Sequence, residues 1–295
     1  MKFVWKFEGL AAIKLKSFLQ KQGVSRRLLA KVRHEGGQIL VDNIQGRTVD
    51  KINPGQTVAL IVPPEHGRKS ELRPSFVPLE IIYEDQDLLA VNKPPFLPSV
   101  PSPLYPGDSL VNRVCGYYQV RSYQGIVPHI VSRLDRDTSG VVLFAKHRYA
   151  HALLDQQMQA RTISKEYTAF LQGTVQAELE ISQPIGRDPE SLFKRRVDPA
   201  GKKAQTSLKL LEVKGGNSMC QLRPKTGRTH QLRVHCAYIG HPLLGDTMYN
   251  GPQSSPLERQ ALHCHRFTFA HPLTGQKITL TAPVAQDMQQ YWKKL

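Results

Sequence analysis

From residue 78 onward the apolar residues gather into short runs separated by tight polar turns, and this succession limits the fold more than any other feature of the chain. Ile81-Ile82-Tyr83 and Leu88-Leu89-Ala90-Val91 flank Glu84-Asp85-Gln86-Asp87 as the arms of a β-hairpin would. Further strands are expected at 167–171, 206–213, 218–223, 261–269 and 277–282. Helical signals are fewer. One helix is capped by Asp108 or Ser109 and runs through Tyr118, and one covers 148–160 with Leu153, Leu154 and Met158 inward. A third opens at Thr226-Gly227-Arg228-Thr229 and stops at Gly240. Strands arriving in runs predict an α+β fold, a mixed, largely antiparallel central sheet with flanking helices, and not an alternating α/β fold.

The residues before this sheet read as a separate, small α+β unit. Leu15, Phe18 and Leu19 lie on one helical face that ends at Gly23, and Ser25 can cap a second helix. In that second helix Leu28, Leu29 and Val32 share a face, while Arg26, Arg27, Lys31 and Arg33 spread over the rest. Strands Gln38-Ile39-Leu40-Val41 and Thr57-Val58-Ala59-Leu60-Ile61-Val62 follow, with turns at Asp42-Asn43 and Pro54-Gly55. Linker composition then sets in. The expected division is a small domain at 1–66, a linker at 67–77 and a large domain at 78–295.

Charge narrows the partners. The net charge is +16, and it brackets a near-neutral middle. Residues 1–70 carry 13 Lys/Arg against 5 Asp/Glu, residues 71–184 carry 10 against 12, and residues 185–295 carry 17 against 7. Such concentration favours a polyanion, with nucleic acid ahead of an anionic membrane surface because no basic amphipathic helix stands out. The segment 187–203, read as a basic, proline-containing loop, holds six of these cations. No apolar run is long enough to span a bilayer. Lys14 and Lys16 interrupt the faintly signal-like start, so a cytoplasmic protein is expected. Cys115, Cys220, Cys236 and Cys264 lie far apart without a Cys-x-x-Cys pair, which fits reduced thiols. His235, Cys236, His263, Cys264 and His265 are conceivable zinc ligands, but they lack the usual spacing and no metal site is expected.

Chemistry is expected at residues 132–140. Ser132-Arg133-Leu134-Asp135-Arg136-Asp137-Thr138-Ser139-Gly140 sets two carboxylates and two guanidiniums between apolar runs, a mixture that a strand interior would not choose. Gly140 permits close approach of another backbone or a ligand. A second cluster, residues 223–235, crowds Arg223, Lys225, Arg228, His230, Arg233 and His235 around a helix start, where backbone donors attract anions. Alone, the first stretch reads equally well as a polar turn.

Read together, these stretches resemble the RluA family of pseudouridine synthases over essentially the whole second domain. The resemblance rests on Asn92-Lys93-Pro94, Arg133-Leu134-Asp135, Thr138-Ser139-Gly140, Ala145-Lys146 and Lys165-Glu166-Tyr167. It continues through Gly227-Arg228-Thr229-His230-Gln231-Leu232-Arg233-Val234-His235, His241-Pro242, Gly245-Asp246, Tyr249, Leu262-His263 and Phe269-Ala270-His271-Pro272. Ser132 stands where the family usually has His, and Pro95-Phe96 where it often has small residues. Residues 13–62 resemble the S-four-like RNA-binding domain through Ser25-Arg26-Arg27, Lys31, Gly36-Gly37, Val41-Asp42-Asn43 and Pro54-Gly55, with Asp42 in place of the commoner Asn.

The resemblance implies a pseudouridine synthase fold and an isomerisation of uridine in RNA that needs no cofactor. It assigns Asp135 as the nucleophile, Arg233 as its cationic partner, Tyr167 as the ring that stacks on a flipped uracil, and Arg133 as filler of the vacated space. Burial disfavours a charged carboxylate, and a guanidinium beside it offsets that cost. Arg26, Arg27, Lys31, Arg228 and Lys93 are expected RNA contacts, and Asp137 is expected to hold the turn. Ribosomal RNA is the first expected substrate and transfer RNA the second, with a monomeric enzyme. Two other readings are a catalytically inactive ribosome-assembly factor and a magnesium-dependent phosphotransferase. The latter rests on a similarity of Asp135-Arg136-Asp137-Thr138 to the haloacid-dehalogenase aspartate pair, incomplete at Ser139.

Overall fold

Two main hydrophobic cores form, and each follows from the apolar spacing of its own stretch of chain. The computed structural model describes residues 1–65, 72–103, 105–176, 178–252 and 256–295. The first unit contains β1 (Lys2–Lys6), β2 (Ile13–Lys14), α1 (Leu15–Lys21), α2 (Arg26–His34), β3 (Gln38–Val41), β4 (Ile44–Gln45), β5 (Lys51–Ile52) and β6 (Thr57–Ile61). Its sheet runs β1-β6-β3-β4, and β2 pairs with β5. Ser25 caps α2 by accepting from the Leu28 amide at 3.1 Å, and Leu28, Leu29 and Val32 meet Leu15, Phe18 and Leu19 in the core. Asp42 and Asn43, both at positive φ, make the tight β3–β4 turn.

Strand β1 was not expected from the sequence. Its Phe3 and Trp5 rings meet Tyr149 edge-on at 4.8 and 6.1 Å. Tyr149 comes from the far side of the sequence and donates its hydroxyl to the Gln22 carbonyl, so the first unit is docked by a large buried side chain of the second. Of the expected linker, 67–71 lies outside the described residues. The rest is not loose, because Asn112 donates to the Arg73 carbonyl at 2.6 Å and Ser75 donates to the Asn112 carbonyl at 3.0 Å.

The second unit continues with β7 (Glu80–Glu84), β8 (Leu88–Lys93), α3 (Leu110–Val120), β9 (His129–Ile130), β10 (Ser139–Ala145), α4 (Arg148–Gln159), β11 (Ser164–Gln172) and β12 (Glu178–Ile181). Then come β13 (Ile185–Arg187), β14 (Arg195–Val197), β15 (Thr206–Lys214), β16 (Asn217–Pro224), α5 (Gln231–Tyr238), β17 (Leu262–Ala270), β18 (Lys277–Thr281) and α6 (Gln286–Lys294). One sheet runs β12-β15-β16-β11-β17-β10-β8-β7, with β18 on β17 and β9 on β10. Every pairing within it is antiparallel except a two-residue parallel join, Ser139 to His263 and Gly140 to Cys264. The mixed, largely antiparallel α+β fold is therefore what the chain adopts. It lacks the doubly wound parallel core of the phosphotransferase reading, which falls.

Other elements also differ from expectation. The segment at 187–203 contains part of a hairpin, β13 against β14, and is not a plain loop. Helix α5 begins at Gln231, five residues later than expected, because His230 takes a left-handed φ of 56° and closes off the preceding turn. Helix α6, anchored by buried Met288 and Trp292, had no strong sequence signal. Among the described residues no helix is long and apolar enough to cross a membrane.

Candidate active site

The parallel join is where the two halves of the large sheet meet, and the polar stretch at 132–138 sits directly before it. Close strand approach explains Gly140. Its φ is +115°, and a Cβ there would fall 2.2 Å from the Cys264 carbonyl oxygen. Next to it the Ser139 hydroxyl meets His263 Nδ1 at 2.9 Å. The loop that precedes these residues is thereby fixed in space at its C-terminal end.

Buried groups hold the rest of the loop from behind. Ser99 Oγ donates to the Leu134 carbonyl at 2.6 Å and accepts from the Leu134 amide at 3.0 Å. Lys93, at the end of β8 and opposite Gly140, is fully buried and donates to the carbonyls of Pro94, Leu97 and Arg136 at 2.9, 2.7 and 2.8 Å. Burial pulls its pKa down to about 7, against the attraction of Asp137 and Asp135. Lys93 therefore cannot contact RNA phosphate as expected, since all three donors are consumed beneath the loop. Arg259, also fully buried, donates to the Asp137 carbonyl at 3.1 Å and grips the Asp287 carboxylate on α6 at 2.6 and 2.8 Å. Gln260 donates to the Thr138 hydroxyl at 3.2 Å. The Asp137 carboxylate turns outward and pairs with Arg136.

With its backbone pinned, the loop presents the half-buried Asp135 carboxylate to a cleft of about 1140 Å³. Arg233 Nη1 stands 3.6 Å from Asp135 Oδ2, and His230 Nε2 stands 4.0 Å from the same oxygen. The expected pairing of Asp135 with Arg233 is present but secondary. The main partner of Arg233 is the buried Asp246, which takes Nε and Nη2 at 2.7 Å each. Burial would lower the Arg233 pKa, yet the bidentate bonds to Asp246 outweigh it and hold the group above its ordinary value. Asp246 thus fixes the guanidinium and leaves one nitrogen aimed at Asp135.

Tyr249 extends this network. Its hydroxyl meets His230 Nδ1 at 2.8 Å, and the Arg233 guanidinium lies 4.9 Å from its ring centroid. Burial holds His230 below its ordinary pKa, with Asp135 pulling the other way. His230 belongs to the expected cluster at 223–235 without a role of its own, whereas Asp246 and Tyr249 are not among the expected site residues. Their only signal was membership of the motifs at 245–249.

Tyr167 lines the same cleft from β11. Burial, helped by Cys264 and Asp135, pushes its phenol well above the ordinary range, so it stays protonated at neutral pH. Arg133 is exposed at the rim and forms no ion pair among the described residues, whereas Arg228 donates to the Lys203 carbonyl at 3.0 Å. In α2, Arg26 and Arg27 are exposed, and Lys31 pairs with Glu35 one helical turn away. Ser132 is buried at the cleft wall, and its place in the chemistry is unexplained. The zinc candidates have other partners: His235 is held by Thr206 and the Gln183 carbonyl, His263 by Ser139 and His265 by Thr168. Asp85, Asp87 and His271 come within metal-binding reach of one another, yet Tyr83 and His271 hold Asp85 and His147 holds Asp87.

A cation-held carboxylate beside a buried aromatic ring, in a cleft rimmed by arginines, marks an enzyme built for a polyanionic substrate. The model of the RNA pseudouridylate synthase family matches residues 87–238. An RNA pseudouridine synthase of Bacillus subtilis, YjbO, is 38% identical over 280 residues, covering 95% of this chain and 98% of its own. Ribosomal large subunit pseudouridine synthase D of Escherichia coli K12 is 35% identical over 254 residues, covering 81% and 76%. Among solved structures, human RNA pseudouridylate synthase domain containing 1 superposes with a TM-score of 0.61 at 27% identity, covering 74% of this chain and 89% of that one. The chain belongs to the RNA pseudouridylate synthase family and is an RNA pseudouridine synthase.

Proposed function

We propose that this synthase isomerises a uridine of ribosomal RNA with Asp135 as the nucleophile. The observation that carries the reading is the Asp135 carboxylate at the cleft with Arg233 Nη1 at 3.6 Å, the guanidinium itself fixed by Asp246. Taking the base out of its stack costs a few kcal/mol, least where the RNA is unpaired. Arg133, exposed next to Asp135, is suited to occupy the vacated space. Tyr167 offers a ring on which the flipped uracil stacks. Its phenol, kept protonated by burial, is poorly suited to take the proton from ring carbon 5.

Residues 1–66 form, on this reading, an S-four-like domain in which exposed Arg26 and Arg27 grip phosphates, joined through 67–77 to a catalytic domain at 78–295. Arg228 and the basic hairpin extend the grip beside the cleft. The enzyme acts as a monomer in the cytoplasm. The ribosomal substrate is supported by the name of the Escherichia coli relative and by the basic N-terminal unit.

The test is tritium release from RNA labelled at uridine carbon 5. Wild-type protein is expected to release label from ribosomal RNA, and Asp135→Asn to lose more than about 10⁴-fold in rate. Release only from transfer RNA would move the substrate and keep the mechanism. No release from any RNA, with binding retained, would leave an RNA-binding assembly factor instead.

A further inference from the structure

We propose that Lys165 is a further catalytic residue, whose ammonium binds the ring oxygens of uracil as negative charge builds on the base. This rests on the active-site reading above. Lys165 and Tyr167 are two apart on β11, so both side chains leave the same face of the strand, and both line the cleft with Asp135. What singles Lys165 out is an ammonium without a partner on the same strand as Tyr167, inside the rim. Among the described residues it makes no hydrogen bond and no ion pair; its nearest aromatic neighbour is Phe267, with the ammonium 5.4 Å from the ring centroid.

Among the described residues Arg133 and Arg161 are likewise unpaired but are exposed at the rim, whereas the other cations that line the cleft are engaged. Arg233 is held by Asp246, Arg223 by Glu166, Lys225 by Glu180 and Arg228 by the Lys203 carbonyl. Lys165 is partly buried, and that burial pulls its pKa down. An oxygen carrying negative charge that arrives beside it gives the ammonium the acceptor it lacks. With a rise of about 3.3 Å per residue, the Lys165 backbone lies about 7 Å along the strand from Tyr167. A base stacked on the Tyr167 ring would therefore turn one edge toward this ammonium.

The reaction supplies the charge by either route open to Asp135. If the carboxylate attacks the anomeric carbon, the carbon–nitrogen bond breaks and its electron pair passes to uracil, delocalised over ring oxygens 2 and 4. If it attacks ring carbon 6, the ring becomes an enolate with charge on oxygen 4. In the first route ring carbon 5 bonds the anomeric carbon as the Asp135 ester bond breaks; in the second the bond from ring nitrogen 1 to the anomeric carbon breaks, ring carbon 5 bonds that carbon, and the Asp135–carbon 6 bond is then released. In both, ring carbon 5 loses its proton and ring nitrogen 1 gains one. Atoms balance as an isomerisation, and no co-reactant enters. An ammonium beside the base favours the charged state over the neutral ground state.

The experiment compares Lys165→Met and Lys165→Arg with wild type in single turnover at saturating enzyme. Two versions of one ribosomal RNA transcript are used, one with ordinary uridine and one with 5-fluorouridine. Fluorine stabilises the ring anion by itself. On ordinary RNA, Lys165→Met is expected to slow tritium release about 10²-fold with RNA affinity unchanged, and Lys165→Arg to recover part of the loss. On 5-fluorouridine RNA, followed by nucleoside mass analysis, the loss should shrink to about tenfold or less. Weaker RNA binding with an unchanged rate at saturation would make Lys165 a phosphate contact and overturn the proposal. Equal losses on both substrates, with a lowered Tm, would make it structural. If Asp135→Asn is inactive while Lys165→Met is fully active, only this inference fails; if Asp135→Asn stays active, the site reading fails with it.

Discussion

The loop at 132–138 and the hairpin region at 187–203 are both poor in apolar residues and rich in charge, yet the fold treats them in opposite ways. In the first, Ser99, Lys93, Arg259 and Gln260 each bond a different residue of the loop from behind. In the second, Arg187, Arg196, Lys202 and Lys203 are exposed, and Leu192 and Phe193 are 90% and 61% exposed between them. The difference teaches what charge is used for. A catalytic carboxylate has to be held within a fraction of an ångström, so its support is buried and directional. A phosphate grip works through summed, solvent-screened attraction and needs number more than placement.

The largest expected effect separates the two by mutation. Arg233→Ala leaves Asp246 buried without its cation and Asp135 without its guanidinium. Removing one partner of such a buried pair typically costs about 3–5 kcal/mol of stability, so Tm should drop, and loss of the guanidinium beside Asp135 should slow single-turnover tritium release at least about 10²-fold. An Arg233→Ala enzyme as active as a hairpin variant would erase the distinction.

Next comes the join that fixes the loop. Gly140→Ala forces a side chain into the Cys264 carbonyl at a φ that favours glycine. Tm should drop and the rate at saturation should fall. By contrast Gly227→Ala, with nothing within 4 Å of the added carbon, should leave Tm within about a degree of wild type. Similar Tm values for the two variants would show that the close approach of β10 and β17 does not matter.

The smallest effect belongs to the hairpin. Replacing Arg196, Lys202 and Lys203 together by Ala should weaken RNA binding and lower the slope of log affinity against log salt by about 2, while the rate at saturation holds. An unchanged slope would remove this hairpin from the RNA surface.

Much of the site could be read from residue order, but unevenly. Asp135, Tyr167 and Arg233 lie on three elements, and the fold brings them to one cleft because β10 and β11 flank β17 while α5 follows β16. Lys93 was misjudged because a lysine after a strand and before prolines ordinarily reaches water. Only the β8–β10 register buries it under the loop. Asp246 carried no local mark that it, and not Asp135, would be the bidentate partner of Arg233.

The sequence by itself determined the class of fold, since strand periodicity, turn residues and apolar spacing are local properties that survive into the folded state. It also set the basic balance and the motif order of an RNA pseudouridine synthase. Only the tertiary structure decided which charges stay exposed and which face each other. That depends on burial, and burial is settled by strands that pair across more than a hundred residues, as Ser139 does with His263.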